Sequence, residues 1–262
     1  MEEEEKTKTL RVMLPCYNEE KDLAKLLTSW LLEREDLAKE GYGLKVTVID
    51  DASKDRTPEI ARDFMAREGE VIDLISHEKN LNLGGGVNTA IEAFNRDQKP
   101  GDLLCIMDGD NTQDPKYIHS MVGKIEEGYD VCIASRYCKG SKVEGVPSHR
   151  LFLSDGAKVY YQLVLGIPGV KDYTCGYRVY TYDIIKKCRE VYGPRPIKNT
   201  SFACMMEVLY LLSKLGGRIG EVPFTLRYDH KEGASKMNVF KTMKDSLLTA
   251  LKIRFRSSKK KS

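Results

Sequence analysis

"CIMDGDNTQDP", residues 105–115, is an apolar run that stops on two aspartates separated by one glycine. Asp108 and Asp110 lie two apart, so along an extended backbone their carboxylates converge only if the strand ends there and the chain turns. Two such anions about 4 Å apart repel by roughly 4 kcal/mol at an effective dielectric of ~20, and a cation or a proton is the remedy.

Outward from that stretch, strand and helix patterns alternate. "LRVMLPCYN" (10–18) reads as a buried strand, and the leucines of residues 19–40 recur at helical spacing as one helix. "LKVTVIDDAS" (44–53) is a second strand, followed by a helix from 53 to 68 with Thr57 as its cap and Pro58 in its first turn. "VIDLISHEKN" (71–80) reads as a strand, "NLGGG" (82–86) as a glycine-rich turn, and 87–95 as a helix leading into the strand "DLLCIMD" (102–108). This alternation predicts an α/β fold with a mainly parallel sheet flanked by helices. "DVCIASRY" (130–137) continues it as a strand, 138–150 reads as a loop, 151–166 and 202–216 as helices, and "RIGEVPFTLRY" (218–228) as a single strand. From Asn238 to Phe255 apolar residues recur at spacings of one, three and four, the pattern of an amphipathic helix whose last turn is basic.

The 262 residues, 41% of them hydrophobic, suit one large domain. The expected division is an acidic tail over 1–9, one α/β domain over 10–235, and an amphipathic helix with a basic tail over 236–262. A formal charge of +3 is too close to neutral for a nucleic-acid binder, although "MEEEEK" opens the chain and "KIRFRSSKKKS" closes it. Seven scattered cysteines with no C-x-x-C pair argue against zinc and disulfides and for a reducing cytoplasm. No run reaches the ~18 to 20 apolar residues of a membrane span, so any bilayer contact is expected to be peripheral, at the cytoplasmic face. The six cations from Lys252 onward suit an anionic membrane surface, at about 1 kcal/mol each.

Ligands of an open parallel sheet bind beyond the carboxyl ends of its strands. Four polar clusters fall there: Tyr17-Asn18-Glu19, Asp50-Asp51, Asn80 with Gly84–Gly86, and Asp108-Asp110. Arg136 at a strand end, with Arg150 and Ser154 four apart on one helical face, adds groups able to hold a phosphate.

The ordered set "LPCYNEE", "VIDDASKDRT", "NLGGGVNTAI", "MDGDNTQDP", "ASRYCKG", "SHRLFLSDGA", "VKDYTCGYRVY" and "EVPFTLRYDHKEGASKM" resembles the inverting family 2 glycosyltransferases of GT-A fold over roughly residues 10 to 240. Within that family it is similar to the dolichyl-phosphate mannosyltransferases and other polyprenyl-phosphate glycosyltransferases. The resemblance implies a nucleotide-diphosphate sugar donor (GDP-mannose or a UDP-sugar), a polyprenyl phosphate acceptor, and Mg²⁺ or Mn²⁺ held by Asp108 and Asp110. It places Pro15, Tyr17, Glu19, Asp51 and Gly85 at the nucleotide, and Arg136, Arg150 and Ser154 on the acceptor phosphate and the diphosphate oxygens. Asp172 and Arg178 would lie near the sugar and the acceptor, and His230 or Lys231 would meet a phosphate. Thr112 stands where many members carry a glutamine, which makes Gln113 or Asn111 the expected third metal ligand. Two other readings stand beside this one: a sugar-hydroxyl acceptor, with Asp172 as general base, and a non-catalytic nucleotide-sugar binder.

Overall fold

The computed structural model describes residues 8–230, 232 and 239–255, with side chains except at 97, 148–150, 152 and 239–243. In chain order the elements are β1 (Lys8–Cys16), α1 (Leu23–Leu32), α2 (Arg34–Lys39), β2 (Tyr42–Asp50), α3 (Thr57–Glu68), β3 (Ile72–Ser76), α4 (Asn82–Asp97) and β4 (Leu103–Ile106). They continue as α5 (Ile118–Glu126), β5 (Val131–Ser135), β6 (Lys142–Glu144), α6 (Ser148–Leu165), β7 (Arg178–Thr181), α7 (Tyr182–Tyr192), α8 (Cys204–Lys214), β8 (Ile219–Pro223), β9 (Thr225–Arg227) and α9 (Val239–Phe255).

Seven strands form one sheet in the order β3-β2-β1-β4-β7-β5-β8, and β6 pairs with β9 in a small second sheet. Every neighbour in the large sheet is parallel except β7, which runs antiparallel to both β4 and β5. Strands β4 and β5 are buried at every position, as expected of strands covered by helices on both faces. Because β7 runs the other way, the segment leading into it, Lys171–Gly176, reaches the sheet at the edge where the parallel strands end.

Several elements differ from the sequence-based expectation. The helix over 19–40 is two helices that break at Glu33, whose carboxylate accepts from His119 Nε2 of α5 at 2.9 Å. Thr57 opens α3 from within rather than capping it; its hydroxyl donates to Asp55 Oδ1 at 2.6 Å and accepts from the Glu19 N–H at 2.7 Å. "NLGGG" is the first turn of α4, not a turn before it. Residues 218–228 are not one strand: β8 closes the large sheet while β9 leaves it to pair with β6. The antiparallel β7, the helix α7 behind it and the short β6 were not anticipated.

The last helix docks on the body of the domain. Tyr161 and Ser246 share a hydrogen bond of 2.6 Å, Tyr160 Oη donates to Leu247 O at 3.0 Å, and Ala250 and Ile253 are buried. Its other side carries Leu248, Leu251 and Phe255, exposed by 47, 39 and 79%.

Candidate active site

A cleft of about 790 Å³ opens over the carboxyl ends of β1, β2, β4 and β5. Of the residues singled out from the sequence, Pro15, Tyr17, Glu19, Asp51, Asp108, Asp110, Gln113, Arg136, Ser154 and Asp172 line it. They come from six segments as far apart as Pro15 and Asp172, so only the sheet brings them together.

The turns that expose these groups are bent left-handed. Asn18 after β1, Ala52 after β2 and Asn111 after β4 have φ of 56°, 59° and 56°, a conformation that L residues other than glycine adopt at a cost and that clusters at working sites. Two of these turns brace each other: the Asn18 N–H donates to Ser53 Oγ at 2.9 Å, and Asn18 Oδ1 accepts from the Lys54 N–H at 2.7 Å.

Asp108 and Asp110, just before the left-handed Asn111, share one mouth. Each is oriented by a neighbour: Gln113 Nε2 donates to Asp108 Oδ2 at 2.9 Å, and Thr112 Oγ1 donates to Asp110 Oδ1 at 2.7 Å. Glycines on either side leave room for them, since a Cβ at Gly109 would sit 2.4 Å from Cys16 Sγ and one at Gly176 2.5 Å from both Asp108 oxygens. Burial pushes the Cys16 thiol well up, and the charges of Glu19, Asp50, Asp110 and Asp108 raise it further.

Two oriented carboxylates fit a hard divalent cation of the Mg²⁺ or Mn²⁺ type, which commonly takes one or two carboxylates and fills its other positions with water and ligand phosphate oxygens. Among the described residues no three His, Cys, Asp or Glu gather closely enough to hold a metal by themselves. Gln113, the expected third ligand, is engaged with Asp108 at both ends of its amide: Nε2 is on Asp108 Oδ2 at 2.9 Å and Oε1 accepts the Asp108 N–H at 3.4 Å.

Across the cleft, Arg136 clamps Asp172 through Nε (2.8 Å) and Nη2 (2.6 Å), and Nη2 also donates to Thr174 Oγ1 at 2.6 Å. Asp172 further accepts the N–H groups of Arg136, Thr174 and Cys175. Burial works to raise the Asp172 carboxyl, but the charge and hydrogen bonds of Arg136 outweigh it and hold it below the usual carboxylate range. A carboxylate so occupied is a poor proton acceptor, which removes Asp172 as a general base. Arg136 also lines the cleft, and among the described residues Nη1 makes no hydrogen bond.

Three assignments are corrected. Arg178 is fully buried within β7, donates from Nη1 to Met205 O and from Nη2 to Tyr173 O at 2.9 Å, and does not line the cleft; it braces the sheet and meets no acceptor. Gly85 lies under the Leu81 side chain, which a Cβ would meet at 2.2 Å, while Gly86 lines the cleft against Pro15. Gly84 packs on the backbone of Asn199, where a Cβ would fall 2.0 Å from the carbonyl oxygen, so the three glycines serve close packing rather than a phosphate cradle. His230 is exposed and lies outside the cleft. The Arg150 side chain and Lys231 lie outside the described residues.

Sequence reasoning missed Tyr137, Lys158 and Lys171, all on the cleft wall. Lys158 Nζ lies 4.6 Å from the centroid of the Tyr137 ring, which Arg136 also approaches at 5.5 Å. Burial pushes the Tyr137 phenol up to about 12, so it keeps its proton and donates to Ser154 O at 3.2 Å. The signal for Lys158 was its spacing: it sits four residues after Ser154, one turn along the same helical face.

Residues 11–189 match the family model described as glycosyl transferase family 2. The chain belongs to that family. Among curated family members, the dolichol-phosphate mannosyltransferase of Pyrococcus furiosus is 31% identical over 82% of this chain and 55% of its own length. The polyprenol monophosphomannose synthase of Mycolicibacterium smegmatis is 24% identical over 88% of this chain and 82% of its own. The chain thus spans about half of the first relative and most of the second. A solved glucosyl-3-phosphoglycerate synthase from Mycobacterium tuberculosis, in complex with Mn²⁺, UDP and phosphoglyceric acid, superposes with a TM-score of 0.66 at 17% identity, covering 94% of this chain and 78% of that one. That likeness confirms the GT-A fold of this family 2 member.

Proposed function

We propose that this glycosyltransferase moves a monosaccharide from a nucleotide-diphosphate sugar to a polyprenyl phosphate, with inversion at the anomeric carbon. The observation that carries the reading is one cleft with an oriented acidic pair at one side and Arg136, Ser154 and Lys158 at the other. Family membership and the two relatives named for lipid-phosphate mannosyl transfer support the choice of acceptor.

On this reading Asp108 and Asp110 hold Mg²⁺ or Mn²⁺, which supplies positive charge to the departing diphosphate. Asp51, Tyr17 and Pro15 enclose the nucleotide end. Nη1 of Arg136, Lys158 and Ser154 hold the acceptor phosphate and orient it toward the sugar. Such an oxygen is already ionised at neutral pH, so the reaction needs no general base. The engaged state of Asp172 agrees with this and disfavours a hydroxyl acceptor, which would need one.

No helix among the described residues is long and apolar enough to cross a membrane. A lipid acceptor then reaches the cleft from a bilayer surface, and the exposed Leu248, Leu251 and Phe255 beside exposed Lys252 and Arg254 suit an anionic one.

The test is transfer from GDP-mannose and a panel of UDP-sugars to polyprenyl phosphate, against soluble sugar acceptors, with and without Mn²⁺. The intact chain should glycosylate the lipid phosphate alone, and Asp108→Asn should lose at least ~10²-fold in kcat while melting as the parent does. Transfer to free sugars, or full activity in Asp108→Asn, would defeat the proposal.

A further inference from the structure

Behind Asp51 lies a histidine that none of the chemistry above uses. His77 follows β3 directly and extends the β2–β3 ladder, its N–H donating to Asp50 O at 2.9 Å. Its ring bridges two elements: Nδ1 meets Asp51 Oδ1 at 2.7 Å, and Nε2 meets Thr89 Oγ1 of α4 at 2.9 Å. The His77 and Asp51 side chains are only 9 and 7% exposed. Asp51 lines the cleft while His77 does not, so the imidazole stands behind the carboxylate.

The hydrogen-bond chain has one direction. An ionised Asp51 only accepts, so Nδ1 must carry the proton, and in the neutral ring Nε2 then accepts from the Thr89 hydroxyl. The Leu81 N–H also donates to Asp51 Oδ1, at 2.7 Å. Both lone pairs of Oδ1 are therefore spent on the protein, which fixes the plane of the carboxylate and leaves Oδ2 for a ligand. A carboxylate oxygen presented in this way recognises an N–H on the edge of a nucleobase.

We propose that His77, held by Thr89, is a positioning residue that locks Asp51 so that one oxygen alone reads the base of the donor nucleotide. The inference rests on the donor reading above and adds to it a residue outside the cleft that sets nucleotide affinity. Loss of the imidazole frees Oδ1 and lets the carboxylate rotate, so base recognition weakens while the diphosphate end, held elsewhere, does not.

Calorimetric titration of UDP, GDP and inorganic pyrophosphate, each with Mn²⁺, into the full chain and its His77→Leu and His77→Asn variants tests this. His77→Leu should weaken whichever nucleotide the parent binds by about 10- to 100-fold, by analogy with the loss of a supporting hydrogen bond behind a metal-binding side chain. It should leave pyrophosphate unchanged. His77→Asn, which returns an amide N–H near Nδ1, should recover most of the loss, and Thr89→Val should lie between parent and His77→Leu. Equal nucleotide affinity in His77→Leu, a parallel loss of pyrophosphate binding, or an asparagine no better than leucine would each overturn the role. A parent that binds pyrophosphate but neither nucleotide would instead sink the donor reading, and this inference with it.

Discussion

A methyl group at Gly176 would lie 2.5 Å from both carboxylate oxygens of Asp108, so the absence of a side chain there shapes the acidic pair as surely as the aspartates do. Gly176→Ala must displace Asp108, by about an ångström at ordinary contact distances. A misplacement of that size costs roughly 10²-fold in rate. The contact is with a side chain at a cleft edge and not with backbone, so the prediction is a large loss in kcat/KM with a change of only a few degrees in melting temperature, read from kinetics and thermal unfolding of the same preparation. Equal activity would mean that Asp108 has slack the structure does not show.

Among the elements, α9 has two faces with different partners. Ser246, Ala250 and Ile253 are buried against the domain, while Leu248, Leu251 and Phe255 point away from it. Replacing Leu251 and Phe255 together with glutamate should reduce co-sedimentation with phosphatidylserine-containing vesicles by at least about tenfold, since each large apolar side chain gains ~1.5 kcal/mol or more on burial. Binding of UDP or GDP should be unaffected, because neither residue lines the cleft. This helix was legible in the sequence through its periodicity, as were β1, β2, β4 and β5 through their short, largely apolar runs. What was not legible depended on pairing at a distance. The family resemblance puts Arg178 near the sugar and the acceptor, yet it begins a strand buried between β4 and β5 and satisfies its guanidinium on carbonyls of Met205 and Tyr173. The glycines of 84–86 read as a turn because what they accommodate, Asn199 and Pro15, lies far away in sequence. The cleft itself was half visible: its acids and arginine announce themselves at strand ends, whereas Tyr137 and His77 matter through contacts that only the fold creates.

At the scale of the molecule, one contact ties the first helices to the far side of the acidic turn. His119 on α5 meets Glu33 through Nε2 at 2.9 Å and Glu40 through Nδ1 at 2.7 Å. A neutral imidazole has one N–H, so two carboxylate partners require the charged ring. Partial burial acts to lower the His119 value, but the bonds to Glu33 and Glu40 prevail and raise it. A raised histidine contributes stability that is complete below its unfolded value of about 6.5 and is lost as pH rises through the folded value. Urea unfolding of the parent should therefore show a midpoint that falls as pH rises above about 6.5, and His119→Gln should flatten that dependence while lowering the midpoint most at acidic pH. A slope unchanged in His119→Gln would place the titrating group elsewhere.

The reversed strand β7 also sets a length. It stands between β4, which delivers the acidic pair, and β5, which delivers Arg136, and neighbouring strands lie about 4.8 Å apart. One intervening strand therefore sets the ends of β4 and β5 about 10 Å apart across the sheet; on the proposed reading, a single hexose would lie between the phosphates that the two ends hold. On that reading, backbone geometry acts as a ruler for the size of the cargo.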